Sequence, residues 1–513
     1  MHLRKHIDCV VLLIISSFLF GISNAFTAWF VFVPLFFLVK KTDFKWVWLY
    51  GGLYGALSYL LYATWLFNYS EIAMAGVCAL YFFYCAILCS ALKFALHFGG
   101  KFKSFLLAVI LTFYEFVKTQ GFLGFSYGIN AYTQYKNIFF IQTSDFGGVW
   151  FVSFVLNFSS AVIFCFLDRL FCGEFHLTDR EEERGDTDKK NRGFVFSKAS
   201  VFKRWRFFCA SLLAFLRTPQ FIAIVALIVF SYLYGILRVR SVDAISLNSE
   251  KVVVAAIQHN TDPWNGGLDV YKADVENLIA LSKSVLQKNE NVKLIVWPET
   301  AVVPSILEHY FDEKNTERKK LVTDLLSFFD KAECAFLIGN FNPRHGNDYN
   351  SAFLFEGGKN TLPPRPEIYS KVHLVPFSEY FPYEKQFPRI YEALLGGDTH
   401  LWTPGSERVV FALDAFQFST PICFEDTFGS DCKQFVKNGA KAFLNMSNDA
   451  WSKSRRCQQQ HLQMAVFRSV ENHVPTMRST ASGVTAYIDM VGRVESIPEF
   501  SKGCLIAEVP ILR

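Results

Sequence analysis

The chain has 513 residues, of which 51% are hydrophobic, with 56 phenylalanines and a formal net charge of +5. That length exceeds one ordinary domain, and the mild charge, held in short loops between apolar runs, argues against a nucleic-acid binder and for membrane topology. Twelve cysteines without a CxxC pair argue against a disulfide scaffold and a zinc site, and no metal or other cofactor is expected.

The apolar excess sits almost wholly before residue 240. A helix needs about 20 mainly apolar residues to cross the hydrocarbon core. Candidate spans fall at 8–24, 26–39, 46–67, 72–95, 105–121, 147–168 and 219–238, and the short second one suits a tight hairpin with the first. The run 207–216 is too short to span and is expected at the interface. Arg4 and Lys5 before the first span resemble a signal peptide, but six further spans favour a permanent anchor. Basic residues cluster at 4–5, 40–45, 101–103 and within 169–218, while 68–71 and 121–147 are nearly free of them. The positive-inside bias makes the first group cytoplasmic, and seven spans then carry everything after about residue 240 out of the cytoplasm. The insertion 169–218, with DREEERGDTDKKNR, is too polar to build a core and reads as a solvated linker. Residues 1–240 are thus expected to form a transmembrane domain and 250–513 an extracytoplasmic one.

From Lys251 the texture changes. Strands are expected at 252–258, 292–297, 335–340, 351–355, 409–413, 416–423, 442–446, 477–482, 485–489 and 505–509, with helices at 269–287, 316–331, 427–437 and 458–472. Such alternation implies an α/β domain of about 260 residues, whose chemistry collects at strand ends.

Three residues stand at such ends. Glu299 closes VKLIVWPE, where Trp297 and Pro298 would hold a carboxylate stiffly and partly desolvated, as suits a general base; a helix N-terminal acid is the other reading. Lys371 follows the strand-like EIYS, and on its own it also reads as an ordinary loop lysine. Glu379, eight residues later among aromatics and prolines, would pair with Lys371 or orient Glu299. Cys423 ends FQFSTPIC and precedes a helical run, a setting that lowers a thiol pKa toward thiolate; a buried structural cysteine is the alternative. Together they suggest a thiol nucleophile, a carboxylate base and a cation for an oxyanion, which is acyl transfer through a thioester. His373 and His461 are not needed as bases.

WPET, YSKVHLVPFSEYFP, PICFED and NMSNDAW, followed by QQQHLQMA and ASGVTAYID, resemble the nitrilase superfamily and, more narrowly, the apolipoprotein N-acyltransferase family. The likeness covers most of residues 252–490. The apolar half matches the family's membrane domain in kind, and GFLGFSYGINAYTQ resembles one of its loops. The resemblance implies a multi-span α-helical membrane domain followed by an αββα nitrilase-like sandwich, with Glu299 as base, Lys371 as oxyanion cation and Cys423 as nucleophile. It makes Glu379, Glu425 and the aromatic Phe424 supporting residues and matches Trp264 to a lipid-facing tryptophan, although the loop TDPWNGG is shorter than usual.

The chain departs from the family in two places. No apolar run follows the catalytic domain before Arg513, so anchoring is expected to rest on the N-terminal spans. SKSRRC at 452–457 replaces a glycine-rich turn, and Lys453, Arg455 and Arg456 either meet lipid head groups or lie on a solvated loop. The implied reaction moves an acyl chain from a membrane phospholipid to Cys423, then to the α-amine of a diacylglyceryl apolipoprotein, at the periplasmic side of a bacterial inner membrane. A monomer is expected. An aromatic lid at 377–387 would keep water from the thioester. The competing readings are a membrane-anchored amidase or nitrilase acting on a small C–N substrate, and a transporter or receptor with a catalytically dead binding domain.

Overall fold

A computed structural model of the chain describes residues 2–184, 208–209, 211–383, 385–395 and 401–512. The centre of the expected insertion, 185–207, lies outside the described residues.

The N-terminal half is helical: α1 (His2–Gly21), α2 (Val33–Lys41), α3 (Val47–Tyr62), α4 (Glu71–Phe98), α5 (Lys103–Val117), α6 (Ile138–Ile141), α7 (Ser144–Arg184) and α8 (Pro219–Asn248). Among the described residues three helices are long and apolar enough to cross a membrane: α4 with 28 residues, Ser144–Phe171 of α7 with 28, and α8 with 30. At the other four expected spans the helices have 20, 9, 16 and 15 residues. At about 1.5 Å per residue α2 rises about 14 Å, under half of a hydrocarbon layer of ~30 Å. Phe83 and Ile87 of α4 and Phe113 of α5 point outward, as apolar surroundings demand. α7 is broken at Gly148, whose φ of 60° suits glycine.

The C-terminal half contains β1 (Lys251–Gln258), α9 (Leu268–Lys288), β2 (Val292–Val296), α10 (Ile306–Phe311), α11 (Thr316–Lys331), β3 (Ala335–Arg344), β4 (Asn347–Glu356), β5 (Glu367–Ser370), α12 (Pro388–Leu395), β6 (Phe411–Leu413), β7 (Phe416–Phe418), α13 (Gly429–Lys437), β8 (Phe443–Ser447), α14 (Arg455–Asn472), β9 (Thr476–Thr480), β10 (Ala486–Ile488), β11 (Val494–Ser496) and β12 (Gly503–Pro510). One sheet runs β12-β1-β2-β3-β4-β5 and the other β11-β10-β9-β8, while β6 and β7 pair only with each other. The period-two pattern sorts the first sheet's side chains. Val254, Ala256, Leu294, Val296 and Leu337 face Leu444, Met446 and Met477 of the second sheet. Ala255, Ile257, Ile295 and Phe336 face Val275 and Leu278 of α9 and Leu325 and Phe329 of α11. Ser479 of β9 reaches across, donating to the carbonyls of Ile257 at 2.8 Å and Val296 at 3.0 Å.

The outer cover of the second sheet is α14. Between Cys457 and Val470 this helix has no exposed residue, which fits an element packed on both sides. Its far side meets the membrane half: Met464, Phe467 and Val470 share one core with Tyr132, Phe140, Ile141, Val149 and Val152. The domain boundary near residue 240 is therefore a boundary of sequence texture, not of the core.

The sequence differs from the structure in the run 416–423, expected as one strand. Pro421 offers no N–H to a ladder, so the strand stops at Phe418. Ser419 and Ile422 make only single bridges, to Phe443 and Met446. Residues Cys423–Thr427 then form a 3-10 turn, and the helix expected from 427 begins at Gly429. The short α10, α12 and β11 were not expected, because none shows a sustained period.

Beneath that turn lies a buried charged quartet. His461 of α14 sits between Asp449, with Nδ1 2.8 Å from Oδ1, and Asp426, with Nε2 2.7 Å from Oδ1. Arg478 of β9 pairs with both aspartates, donating to Asp449 Oδ2 at 2.9 Å. Burial and Arg478 pull the imidazolium pKa down, but the two carboxylates outweigh them and hold it at about 9. A pKa raised on folding stabilises below the ordinary value of 6.5, and the gain is lost as pH rises through about 9. The melting temperature of the full-length protein should accordingly fall as pH rises from ~7 to ~10, and His461→Gln should start lower and fall less over that window.

Asn340 of β3 gives a second expectation. It is fully buried and donates to the carbonyls of Val302 at 2.6 Å and Pro304 at 3.0 Å, while its Oδ1 accepts from Ile306 N–H at 3.1 Å. Asn340→Ala leaves these backbone groups unpaired and should lower unfolding stability in detergent by about 3 kcal/mol, read from denaturant titration.

Candidate active site

The three residues expected at strand ends come together, although Cys423 stands in the turn beyond β7. Glu299 follows β2 on a stiff segment. Trp297 is fully buried, with Nε1 donating to Ser282 Oγ at 2.9 Å and its N–H to Leu337 O at 2.9 Å. The segment lies so close to β3 that a Cβ on Gly339 would stand 2.4 Å from Thr300 N and 2.5 Å from Pro298 O. Glu299 is 7% exposed. Its Oε1 accepts from Asn350 Nδ2 at 2.8 Å and Lys371 Nζ at 3.2 Å, and its Oε2 accepts from the Asn448 N–H at 3.0 Å.

Lys371, just past β5, has a fully enclosed side chain paired with two carboxylates, its Nζ 3.2 Å from Glu299 Oε1 and 2.6 Å from Glu379 Oε1. Burial alone would lower its pKa, but Glu299 and Glu379 outweigh that and hold it well above the ordinary lysine value. Glu379 Oε2 also accepts the Val375 N–H at 2.8 Å. Burial raises the Glu379 pKa against the pull of Lys371, with the charge of Glu299 adding to the rise. Of the two roles expected for Glu379, the geometry selects pairing with Lys371.

Cys423 opens the 3-10 turn with φ of +50°, a left-handed conformation costing a non-glycine residue on the order of 1–3 kcal/mol. It is half-buried. Its thiol pKa is not lowered, as the helix-start position implied. Burial first, then the charges of Glu299 and Asp449, push it well above the ordinary value, against the opposing pull of Lys371. No regular helix begins at Cys423 to offset those charges. That direction favours the thiol over the thiolate.

Glu425 does not face this cluster. It accepts from the backbone N–H groups of Val372 at 2.8 Å, His373 at 3.0 Å and Ile422 at 2.7 Å, and from Tyr369 Oη at 2.7 Å. One carboxylate thereby ties the chain beyond Lys371 to the residue before Cys423. Phe424 packs edge-on against Phe428, centroids 4.9 Å apart, and against His373 at 6.2 Å. His373 is paired with Asp431 at 3.0 Å, and His461 belongs to the quartet. Trp264 is 52% exposed, 6.2 Å from the ring of Tyr69. Of the three basic residues on 452–457, Arg456 is not directed at head groups: its guanidinium donates to the carbonyls of Gly21 and Leu61 at the ends of α1 and α3 and lies over Tyr62. Lys453 approaches Asp262 at 3.5 Å, and Arg455 is exposed. In the expected lid, Phe377, Tyr383 and Phe387 are exposed, and Tyr383 meets Phe122 with centroids 5.3 Å apart.

The sequence reading missed the residues that hold Glu299, Asn350 in β4 and the Asn448 N–H, and the aspartates, histidine and arginine beneath the turn. The only available signal was polar residues inside otherwise strand-like or helical apolar runs. It also missed that membrane-half loops touch the site. Ser126 Oγ donates to Thr427 O at 3.1 Å, at the end of the Cys423 turn, and Tyr127 is buried beside it. Asn68 Nδ2 donates to Ser452 O at 2.7 Å, Trp65 Nε1 to Gln460 Oε1 at 2.8 Å and Tyr69 Oη to Ser378 Oγ at 2.8 Å. Among the described residues no group of three or more His, Cys, Asp or Glu side chains is arranged to hold a metal ion.

Residues 253–512 match the family model described as carbon-nitrogen hydrolase, and residues 11–162 match the apolipoprotein N-acyltransferase N-terminal domain. The chain is 36% identical over 530 residues to apolipoprotein N-acyltransferase 1 of Treponema denticola, covering 98% of this chain and 90% of that one. It is 35% identical over 533 residues to apolipoprotein N-acyltransferase 1 of Treponema pallidum, covering 99% and 91%. Among solved structures it is similar to Nit3 of Saccharomyces cerevisiae, a member of branch 10 of the nitrilase superfamily, at 18% identity and a TM-score of 0.37 over 51% of this chain and 90% of that one. A helical membrane half and a nitrilase-like half joined in one chain, matched nearly end to end by these relatives, make the protein a member of the apolipoprotein N-acyltransferase family.

Proposed function

We propose that this protein transfers an acyl chain from a membrane phospholipid to the N-terminal amine of a diacylglyceryl-cysteine on an apolipoprotein, through a thioester on Cys423. The observation that carries this reading is the enclosed Glu299–Lys371–Glu379 cluster beside a half-buried Cys423, at a place where membrane-half loops touch both the cysteine turn and the lid.

Glu299 takes the thiol proton. Its Oε2 accepts one backbone N–H and keeps a second acceptor position for that proton. The sulfur attacks the ester carbonyl, and Lys371, with the N–H groups that open the Cys423 turn, stabilises the oxyanion. The tetrahedral intermediate collapses, Glu299 returns the proton to the departing lysophospholipid oxygen, and a thioester remains. The amine then adds to the thioester carbonyl and loses a proton to Glu299, and the Cys423 sulfur leaves as a thiol carrying a proton. Because the thiol is protonated at rest, deprotonation belongs to the acylation step itself.

Membership of the family and the apolar helices support a membrane-embedded enzyme. The orientation is inferred from charge. The links at 63–70 and 119–143 that touch the catalytic half are poor in lysine and arginine, while Lys40, Lys41, Lys101 and Lys103 stand at other helix ends. By the positive-inside bias this supports a catalytic half on the periplasmic face of the inner membrane. The division near 240–250, a lipid-facing role for Trp264 and a monomeric state belong to the same reading.

Incubating the full-length protein in membranes with acyl-labelled phospholipid should leave hydroxylamine-sensitive label on Cys423, which a diacylglyceryl peptide then removes. Equal label on Cys423→Ala, or none on the unaltered protein, overturns the mechanism. Lys371→Met should abolish the label. In the unlabelled protein, iodoacetamide should alkylate Cys423 slowly at neutral pH and faster as pH climbs above the ordinary thiol range; rapid, pH-independent alkylation would mean a preformed thiolate.

A further inference from the structure

Tyr69 lies in the link between α3 and α4, just after the 3-10 turn Thr64–Asn68. Its ring is wedged between Trp451, 5.5 Å away, and Trp264, 6.2 Å away. The link is held from the catalytic half by Trp65 to Gln460 and Asn68 to Ser452. From this fixed position the Tyr69 hydroxyl donates to Ser378 Oγ at 2.8 Å.

Ser378 is the neighbour of Glu379 in a turn that is closed on itself. Phe377 N–H donates to Tyr380 O at 2.7 Å, Glu379 N–H to Val375 O at 2.8 Å, and Val375 N–H to the Glu379 carboxylate at 2.8 Å. Phe377 at its tip has φ of +62° and an exposed ring. So many internal bonds make the turn a small rigid body. Its outward ties are those of Glu379, to Lys371 Nζ at 2.6 Å and from Trp402 N–H at 2.7 Å, and the bond from Tyr69. The first sets the ammonium, the second reaches the 401–405 stretch, and the third alone of these comes from the membrane half.

We propose that Tyr69 is a positioning residue for the reaction: through Ser378 it fixes the turn that carries Glu379, so that the α3–α4 link sets where the Lys371 ammonium stands and keeps the turn closed beside Cys423. Tyr69 touches no reacting atom in this role. It acts through Ser378 and Glu379, and it makes the membrane half a working part of the site as well as an anchor. This role presupposes that Cys423 and Lys371 are the reacting pair.

The test uses full-length protein in detergent micelles, as Tyr69→Phe, Ser378→Ala and the double variant. Single-turnover acylation of Cys423 by labelled phospholipid should slow about three- to tenfold in each single variant, the loss of one neutral hydrogen bond, with half-saturating phospholipid unchanged. The double variant should be no slower than either single one, since both remove the same bond. Melting temperatures should stay with the unaltered protein. A Tyr69→Phe variant as fast as the unaltered protein, single effects that multiply, or a fall in melting temperature that parallels the fall in rate each overturn the role. A bulky maleimide supplies the second readout: it should label Cys423 several-fold faster in both single variants, and an unchanged rate counts against the latch. If the unaltered protein forms no thioester, the thioester mechanism falls, and the maleimide rates still decide whether Tyr69 holds the turn.

Discussion

A lysine ammonium with no access to water is the constraint around which this catalytic half is arranged. Placing such a charge in the interior is strongly unfavourable unless opposite charge and hydrogen bonds surround it, and removing one partner of a buried pair costs about 3–5 kcal/mol. Lys371 has two carboxylates, Glu299 and Glu379. Both must be delivered by segments that are themselves pinned: Glu299 by Trp297 and the close approach to Gly339, Glu379 by a turn closed on its own carboxylate. Burial, with the charges of Glu299 and Asp449 added to it, pushes the Cys423 thiol up against the pull of Lys371.

The cysteine turn is held by different means. Pro421 ends the strand, Cys423 takes a left-handed conformation, and the Glu425 carboxylate binds N–H groups from both flanks of the site. Under the turn, two aspartates, a histidine and an arginine pair with one another out of contact with water. A turn strained in its backbone persists only where its surroundings over-determine it, and here the surroundings are ionic below and hydrogen-bonded at the side.

Much of this was legible in the sequence because it rests on short-range pattern. The β-branched run 252–258 and the amphipathic runs 269–287 and 316–331 gave their elements directly, and Glu299, Lys371 and Cys423 each betrayed themselves as a polar residue ending an apolar run. What was not legible depends on contacts across long separations. Nothing near Asn350 announces that it will hold Glu299, and nothing in PICFED reveals that Asp449, far along the chain, will raise the thiol pKa. Arg456 reads as either a head-group ligand or a solvated loop residue until the ends of α1 and α3 are brought beneath it. In the membrane half the helices at 26–39, 46–67 and 105–121 are shorter than their apolar runs, because hydropathy records that a stretch is apolar and not where its backbone turns.

The helix that covers the second sheet has further meaning. α14 is apolar toward the sheet and apolar toward α7, so each half of the protein supplies a wall of the other's interior. The chain emerges from the ribosome with its membrane helices first, and domains generally fold as they appear. The nitrilase-like sandwich would then assemble against a surface already inserted in the bilayer, with the membrane half acting as its template. A detached sandwich would present the outer side of α14 to water, an apolar strip of the kind that drives aggregation. Order of synthesis would set the sandwich against the membrane half from the moment it folds.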